Sequence, residues 1–161
     1  MDDFTESNEY IKVRDAAARY LSYRARSRAE VCNKLKECEF DEEISRLVIE
    51  RLEYFGYIND VKFCQMFIHD KTIINGFGSE RIIRELKEKG VERDIIEQCV
   101  VETELRENDK ESAYKLLTSK RPRFMAEERK RAIDFLLRKG YPYEAADSAF
   151  RKMNDEYSRL S

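Results

Sequence analysis

Few side chains in this 161-residue chain have the types that nucleophilic or metal chemistry needs. There is one histidine, His69, which excludes paired-histidine metal motifs and leaves any Ser-His-Asp triad dependent on a single residue. It lies in a helical run beside Phe67 and Ile68, where a structural or surface role is expected. The four cysteines, Cys32, Cys38, Cys64 and Cys99, form no C-x-x-C pair and sit among apolar positions. They read as reduced, mostly buried thiols rather than a zinc site. In Asn75-Gly76-Phe77-Gly78 two glycines flank an aromatic, but no Lys-Ser/Thr follows and no strand precedes. A flexible turn anchored by Phe77 is expected there, not a phosphate cradle. With carboxylates scattered over helices, neither an enzyme nor a metal or cofactor site is expected.

What remains is charge, and its placement says more than its total. The 31 basic and 33 acidic side chains give a net charge of −2. Residues 18–40 hold six basic and three acidic groups, and residues 41–60 hold two and six. Residues 92–111 hold three and eight, and residues 113–139 hold nine and three. A charged helix face is usually only solvated, yet this segregation raises a binding role. The candidate residues are Arg24, Arg26, Arg28 and Lys34, then Arg81, Arg84, Lys87 and Lys89, then Arg129, Lys130 and Arg131, with Lys120, Arg121 and Arg123 nearby. If successive units stack regularly, these cations form an interrupted track for phosphates or for an acidic protein groove.

The elements that would carry the track are helices. Five Gly, two Pro and no Trp leave little of the punctuation an all-β chain needs. No apolar run approaches the ~20 residues of a bilayer span. The stretch Met1 to Glu9 is acidic, so a soluble cytoplasmic protein is expected. A repeat is visible: Val31, Leu35, Phe40 and Ile44 recur as Ile82, Leu86, Val91 and Ile95, and again as Ala132, Leu136, Tyr141 and Ala145. Spacings of four put each pair on one helical face, and the five-residue step marks a turn. Gly90 and Gly140 fall where a helix end needs positive φ. Glu39 stands at that position in the first repeat, so a looser or differently capped end is expected there.

Helix starts follow from Ser27 with Glu30 as a capping box, Asp41 as an N-cap, Ser79 after Gly78, and Pro142 in a first turn. The expected helices cover 8–25, 28–38, 41–55, 60–74, 79–89, 92–106, 109–120, 126–139 and 142–157. In the first, Ile11, Ala18, Leu21 and Ala25 fall near one stripe. The expected organisation is a flexible tail over 1–8 and three-helix units over 9–58, 59–107 and 108–161. The fold class is all-α, three tandem three-helix repeats in an elongated array. Units of ~50 residues are marginal alone and lean on their neighbours. The links, Gly56-Tyr57-Ile58-Asn59-Asp60 and Asn108-Asp109, are short.

The ordered set of these segments resembles the RecX family of bacterial recombinase regulators. It is carried by Ser27-Arg28-Ala29-Glu30, Lys34-Leu35, Phe40, Arg51-Leu52, Gly56-Tyr57-Ile58-Asn59-Asp60 and Phe63. It continues through Gly78, Arg81-Ile82, Glu85-Leu86 and Lys89-Gly90-Val91 to Leu136 and Lys139-Gly140-Tyr141. The resemblance implies helix-turn-helix-like units and a cytoplasmic protein that binds the groove of the RecA filament on single-stranded DNA. It further implies restraint of the recombinase's ATPase, strand-exchange and co-protease activities, and so a role in DNA repair and the SOS response. Partners would be RecA and, through the filament, single-stranded DNA; the many charges suggest a monomer. Near-neutral total charge argues against strong autonomous DNA binding. A sequence-dependent helix-turn-helix DNA regulator and a passive helical adaptor are the alternatives.

Overall fold

The computed structural model describes residues 7–120 and 128–160. Among them run nine α-helices and no strand: α1 Asn8–Tyr23, α2 Arg28–Glu37, α3 Glu42–Tyr54, α4 Asp60–Ile73, α5 Ser79–Glu88, α6 Arg93–Glu102, α7 Asp109–Ser119, α8 Arg129–Arg138 and α9 Tyr143–Leu160. Residues 1–6 of the expected tail, Arg121, Arg123 and the first two residues of the expected helix 126–139 lie outside the described residues. The all-helical expectation is met. The largest difference in a boundary is at α6, which stops short because Glu104 turns into the left-handed region at φ 52°.

Polar side chains set several of the starts by accepting the otherwise orphaned backbone N–H groups of a first turn. Ser7, Ser27, Asp41 and Asn59 do this for α1 to α4, at 3.1, 3.1, 3.0 and 3.1 Å. The capping box at Ser27 is only half made. The Glu30 carboxylate is taken by Arg24 at 2.6 Å and lies 3.7 Å from Arg26.

Three separate cores follow from the repeat. The recurring positions Val31, Leu35, Ile82, Leu86, Ala132 and Leu136 are all wholly buried, one pair at the centre of each cluster. In α1 the buried stripe is Tyr10, Val13 and Ala17, while Ala18 and Ala25 are exposed. This corrects the expected stripe: spacings of three and four from Tyr10 turn its aromatic ring inward, and the small Ala18 follows to the outside. Cutting one core into three leaves more surface.

The helix ends overturn one expectation. Glu39 adopts φ 59° and caps α2 with the same pair of bonds its glycine counterparts make. Glu39 N–H reaches Lys36 O at 2.9 Å and Phe40 N–H reaches Leu35 O at 3.3 Å. Gly90 with Val91, and Gly140 with Tyr141, repeat this at 3.0 and 3.2 Å and at 3.0 and 3.1 Å. The cap is therefore not different, only strained. Glycine is needed at the other two ends for a second reason. A Cβ on Gly90 would lie 2.4 Å from the Ala29 Cβ, and one on Gly140 would lie 2.1 Å from the Arg81 Cβ. Glu39 is exposed, and no neighbouring unit forbids its side chain. Glu39→Gly should therefore stabilise the protein by about 1 kcal/mol, by relieving left-handed strain. Gly140→Ala should destabilise it by roughly 2–4 kcal/mol, because strain and overlap add. Urea denaturation followed by circular dichroism checks both.

Candidate functional site at the seams between units

The three helical clusters meet at two seams built on one plan. At the first, the N–H of Arg28, the first residue of α2, donates to Asp60 Oδ1 at 2.8 Å, and Asp60 is the first residue of α4. The Ser27 hydroxyl donates to Lys89 O at 2.5 Å. At the second, the N–H of Ser79, the first residue of α5, donates to Asp109 Oδ1 at 3.0 Å, and Asp109 is the first residue of α7. Gly78 N–H donates to Lys139 O at 2.9 Å. In each case a carboxylate from the following unit sits on the positive end of the middle helix, where it neutralises orphan donors and the helix dipole. The Lys-Gly turn of the following unit then presses against the residue that begins that helix.

The carboxylates are held at some electrostatic cost. Burial pushes the Asp109 carboxyl above its ordinary range, and Glu80 adds repulsion, while the two bonds from Ser79 and the charge of Arg106 oppose the rise. Asp60 is raised in the same way, by burial first, with the Arg28 N–H opposing it. The second seam also corrects the flexible turn expected at Asn75–Gly78. Phe77 and Gly78 are buried, Tyr141 OH donates to Gly76 O at 2.9 Å, and Lys139 Nζ reaches Asn75 O at 3.3 Å. The loop is a joint rather than a free turn, and Phe77 anchors it.

The sequence-derived cations divide into two groups. Arg24, Arg26 and Arg28 are engaged inside their unit: Arg24 with Glu30, Arg26 stacked 3.9 Å from the Tyr20 ring centroid, and Arg28 with Glu53. Lys34 lies 5.6 Å over the same Tyr20 ring. Arg81 packs 3.7 Å over Phe77, lies 3.6 Å from Glu85, and donates to Arg138 O at 3.4 Å, so it belongs to the joint. Arg129 bonds Asp147 at 2.7 Å and Tyr143 OH at 3.1 Å, and Arg131 pairs with Glu128 at 3.0 Å. Arg84, Lys87 and Lys130 are exposed and have no ion partner among the described residues. Lys89 is half-buried.

Tertiary structure draws some of them together with residues that sequence reasoning missed. Arg24 and Lys89 line one cleft of about 640 Å³ with Lys71, over a floor that includes Phe63, Met66 and Phe67. Lys71 and Lys139 each stand within 5.5 Å of the Phe77 ring centroid, beside Arg81. Cations from all three units therefore meet along the faces of α4 and α5, mixed with Asp70, Glu85 and Glu88. The Asn-Asp dipeptides at 59–60 and 108–109 were the available signal for the seams, since both stand at the start of a helix. Lys71 carried no signal, and Lys139 stood out only as part of the Lys139-Gly140-Tyr141 segment, not as a contact residue.

The remaining chemical candidates stay apart. Cys64 and Cys99 are buried and Cys32 is half-buried, but Cys38 is exposed, and all four are free thiols. Burial pushes the Cys64 thiol up to about 12, far from a reactive thiolate. His69 is exposed, 3.4 Å from Asp70.

Comparison with known proteins gives the surface its context. A model of the RecX first three-helix domain matches residues 14–52, and one of the second three-helix domain matches residues 59–100. The chain belongs to the RecX family. It is 30% identical to the regulatory protein RecX of Finegoldia magna over 82% of this chain and 67% of that one. It is 28% identical to the RecX of Amycolatopsis mediterranei over 94% and 89%. Against the RecX of Bacillus velezensis it is 31% identical over 90% of its own length but spans only 56% of that relative. The crystal structure of RecX from Lactobacillus salivarius superposes with a TM-score of 0.78 at 23% identity, covering 90% of this chain and 96% of that one. The family is one of regulatory proteins, and no helix among the described residues is long and apolar enough to cross a membrane.

The raised Asp109 carboxyl has a consequence for stability. Its folded pKa lies above the unfolded value, so in the window between them the folded state binds more protons, and lowering the pH through that window stabilises it. The stability difference between wild type and Asp109→Asn should shift in favour of the wild type as the pH falls from 7 to about 4. Urea titrations at several pH values check the sign; a pH-independent difference would contradict it.

Proposed function

We propose that the chain binds the RecA filament on single-stranded DNA along its helical groove, as a monomer, and restrains recombinase ATPase, strand exchange and co-protease activity. Membership of the RecX family supports this reading. The observation that carries it to particular residues is α5, the middle helix of the central unit, which leaves Arg84 and Lys87 exposed and without ion partners among the described residues. Cations already satisfied within the fold would have to break a bond before meeting a new anion. Cations without a close ion partner need not, and although Lys87 also feels the Glu97 carboxylate, no bond holds either side chain back from a partner.

Three helical units in a row, each about 20 Å across, reach roughly 60 Å and can touch more than one subunit of a filament. Weak contacts then add through effective concentration once the first unit has docked. Carboxylates interleaved with the cations at the seam cleft suit a protein surface better than a continuous phosphate backbone. That mixture favours the recombinase reading over autonomous duplex recognition, which a helix-turn-helix-like unit would otherwise suggest.

Replacing Arg84 and Lys87 by Glu should weaken filament binding roughly tenfold at low salt. Helicity should be unchanged, because neither side chain bonds within the fold. Inhibition of RecA ATPase, read together with gel shifts on single strands and duplex with and without RecA, tests the proposal. Undiminished inhibition would show that α5 is the wrong face. Wild-type protein that leaves RecA ATPase untouched at saturation would remove the reading itself.

A further inference from the structure

The two seams share a plan but not a strength. Among the described residues the first is crossed by two hydrogen bonds, from Ser27 Oγ to Lys89 O and from Arg28 N–H to Asp60. Besides the bonds that Asn108 and Asp109 make within the linker itself, the second is crossed by seven. Two run from Ser79 to Asp109, and two run from Gly78 and Glu80 N–H to the carbonyls of Lys139 and Gly140. The other three join Arg81 to Arg138 O, Tyr141 OH to Gly76 O and Lys139 to Asn75 O. The Lys139 ammonium adds a cation–π contact to Phe77 across the same seam.

Solvent access differs in the same direction. On the first seam Ser27 is buried but Asp60 is half-buried and Gly90 exposed, whereas on the second Ser79, Asp109, Gly78 and Gly140 are all buried, with only the Arg81 and Lys139 side-chain bonds at the surface. A bond that water can replace opens at little cost, and a buried one opens only by leaving its partners unsatisfied. The linkers agree. Gly56 is exposed at φ +80°, with nothing within 4 Å of where a Cβ would stand. Ile58 is fixed in the core of unit one. Only Asn59, in extended conformation at φ −154°, lies between it and the first residue of α4.

We propose that the chain bends at one place: unit one swings about Asn59 on the Ser27/Asp60 seam, while units two and three move as a single body. The swing changes the width of the cleft whose walls are Arg24 and Ala25 on one side and α4 and α5 on the other. A chain with one joint can follow a curved surface that a rigid rod of equal length meets at fewer points. This inference does not depend on the identity of the partner.

Distance distributions between nitroxide labels on the full chain test it. Cys32 and Cys38 are replaced by Ser, and Cys64 and Cys99 stay unlabelled because they are buried. Labels at the exposed positions Lys36→Cys and Arg93→Cys span the first seam, and labels at Arg93→Cys and Arg138→Cys span the second. The first distribution should be about twice as wide as the second or more. Adding Ser27→Ala should widen the first further and leave the second unchanged. Equal widths, a broader second distribution, or no response to Ser27→Ala would each overturn the single-hinge proposal. Circular dichroism confirms that the variants keep their helices.

Discussion

A carboxylate from one helical unit, seated on the N-terminus of the neighbouring unit's middle helix, is the interaction on which the arrangement of this protein depends. Helix starts leave backbone donors without partners. A chain of three small cores could have left those donors to water or capped them only with local serines. Instead Asp60 and Asp109 reach back from the first helical residue of the next unit and use the donors as a joint. The same interaction that completes one helix fixes the position of the next, so local structure and assembly of the array are a single event.

The glycines at 90 and 140 belong to this constraint. Positive φ alone does not explain them, because Glu39 takes the same conformation and makes the same cap. Close approach explains them, since any side chain there would run into Ala29 or Arg81 of the preceding unit. Glu39 faces no such neighbour, and its strain is of the order an exposed turn can carry. What looks like an irregular repeat is a regular one with one end unpaired.

The charge pattern gains meaning from the same seams. Arg81, Arg28 and Arg129 read in sequence as candidates for contact with a partner, but each is already engaged within the fold. The cations left exposed and unpaired, such as Arg84 and Lys87, lie on the outer side of a middle helix whose inner side is Ile82 and Leu86. A RecX-family regulator with a near-neutral total charge can thus present local positive charge without the strong overall field that would draw it to nucleic acid indiscriminately.

Sequence alone determined the helical class, the helix order and the buried centre of each unit. Those features follow from local spacing: Val31 with Leu35, Ile82 with Leu86, and Ala132 with Leu136 lie four residues apart, and a helix turns that spacing into one face. It also marked the left-handed ends at Gly90 and Gly140. The tertiary structure decided everything that depends on residues distant in the chain. These are the seating of Asp60 and Asp109, the conversion of the Asn75–Gly78 turn into a joint, and the gathering of Lys71, Arg81 and Lys139 around Phe77. Which cation is spent on an internal partner and which stays free is likewise settled by distance in space, and periodicity along a chain carries no record of that distance.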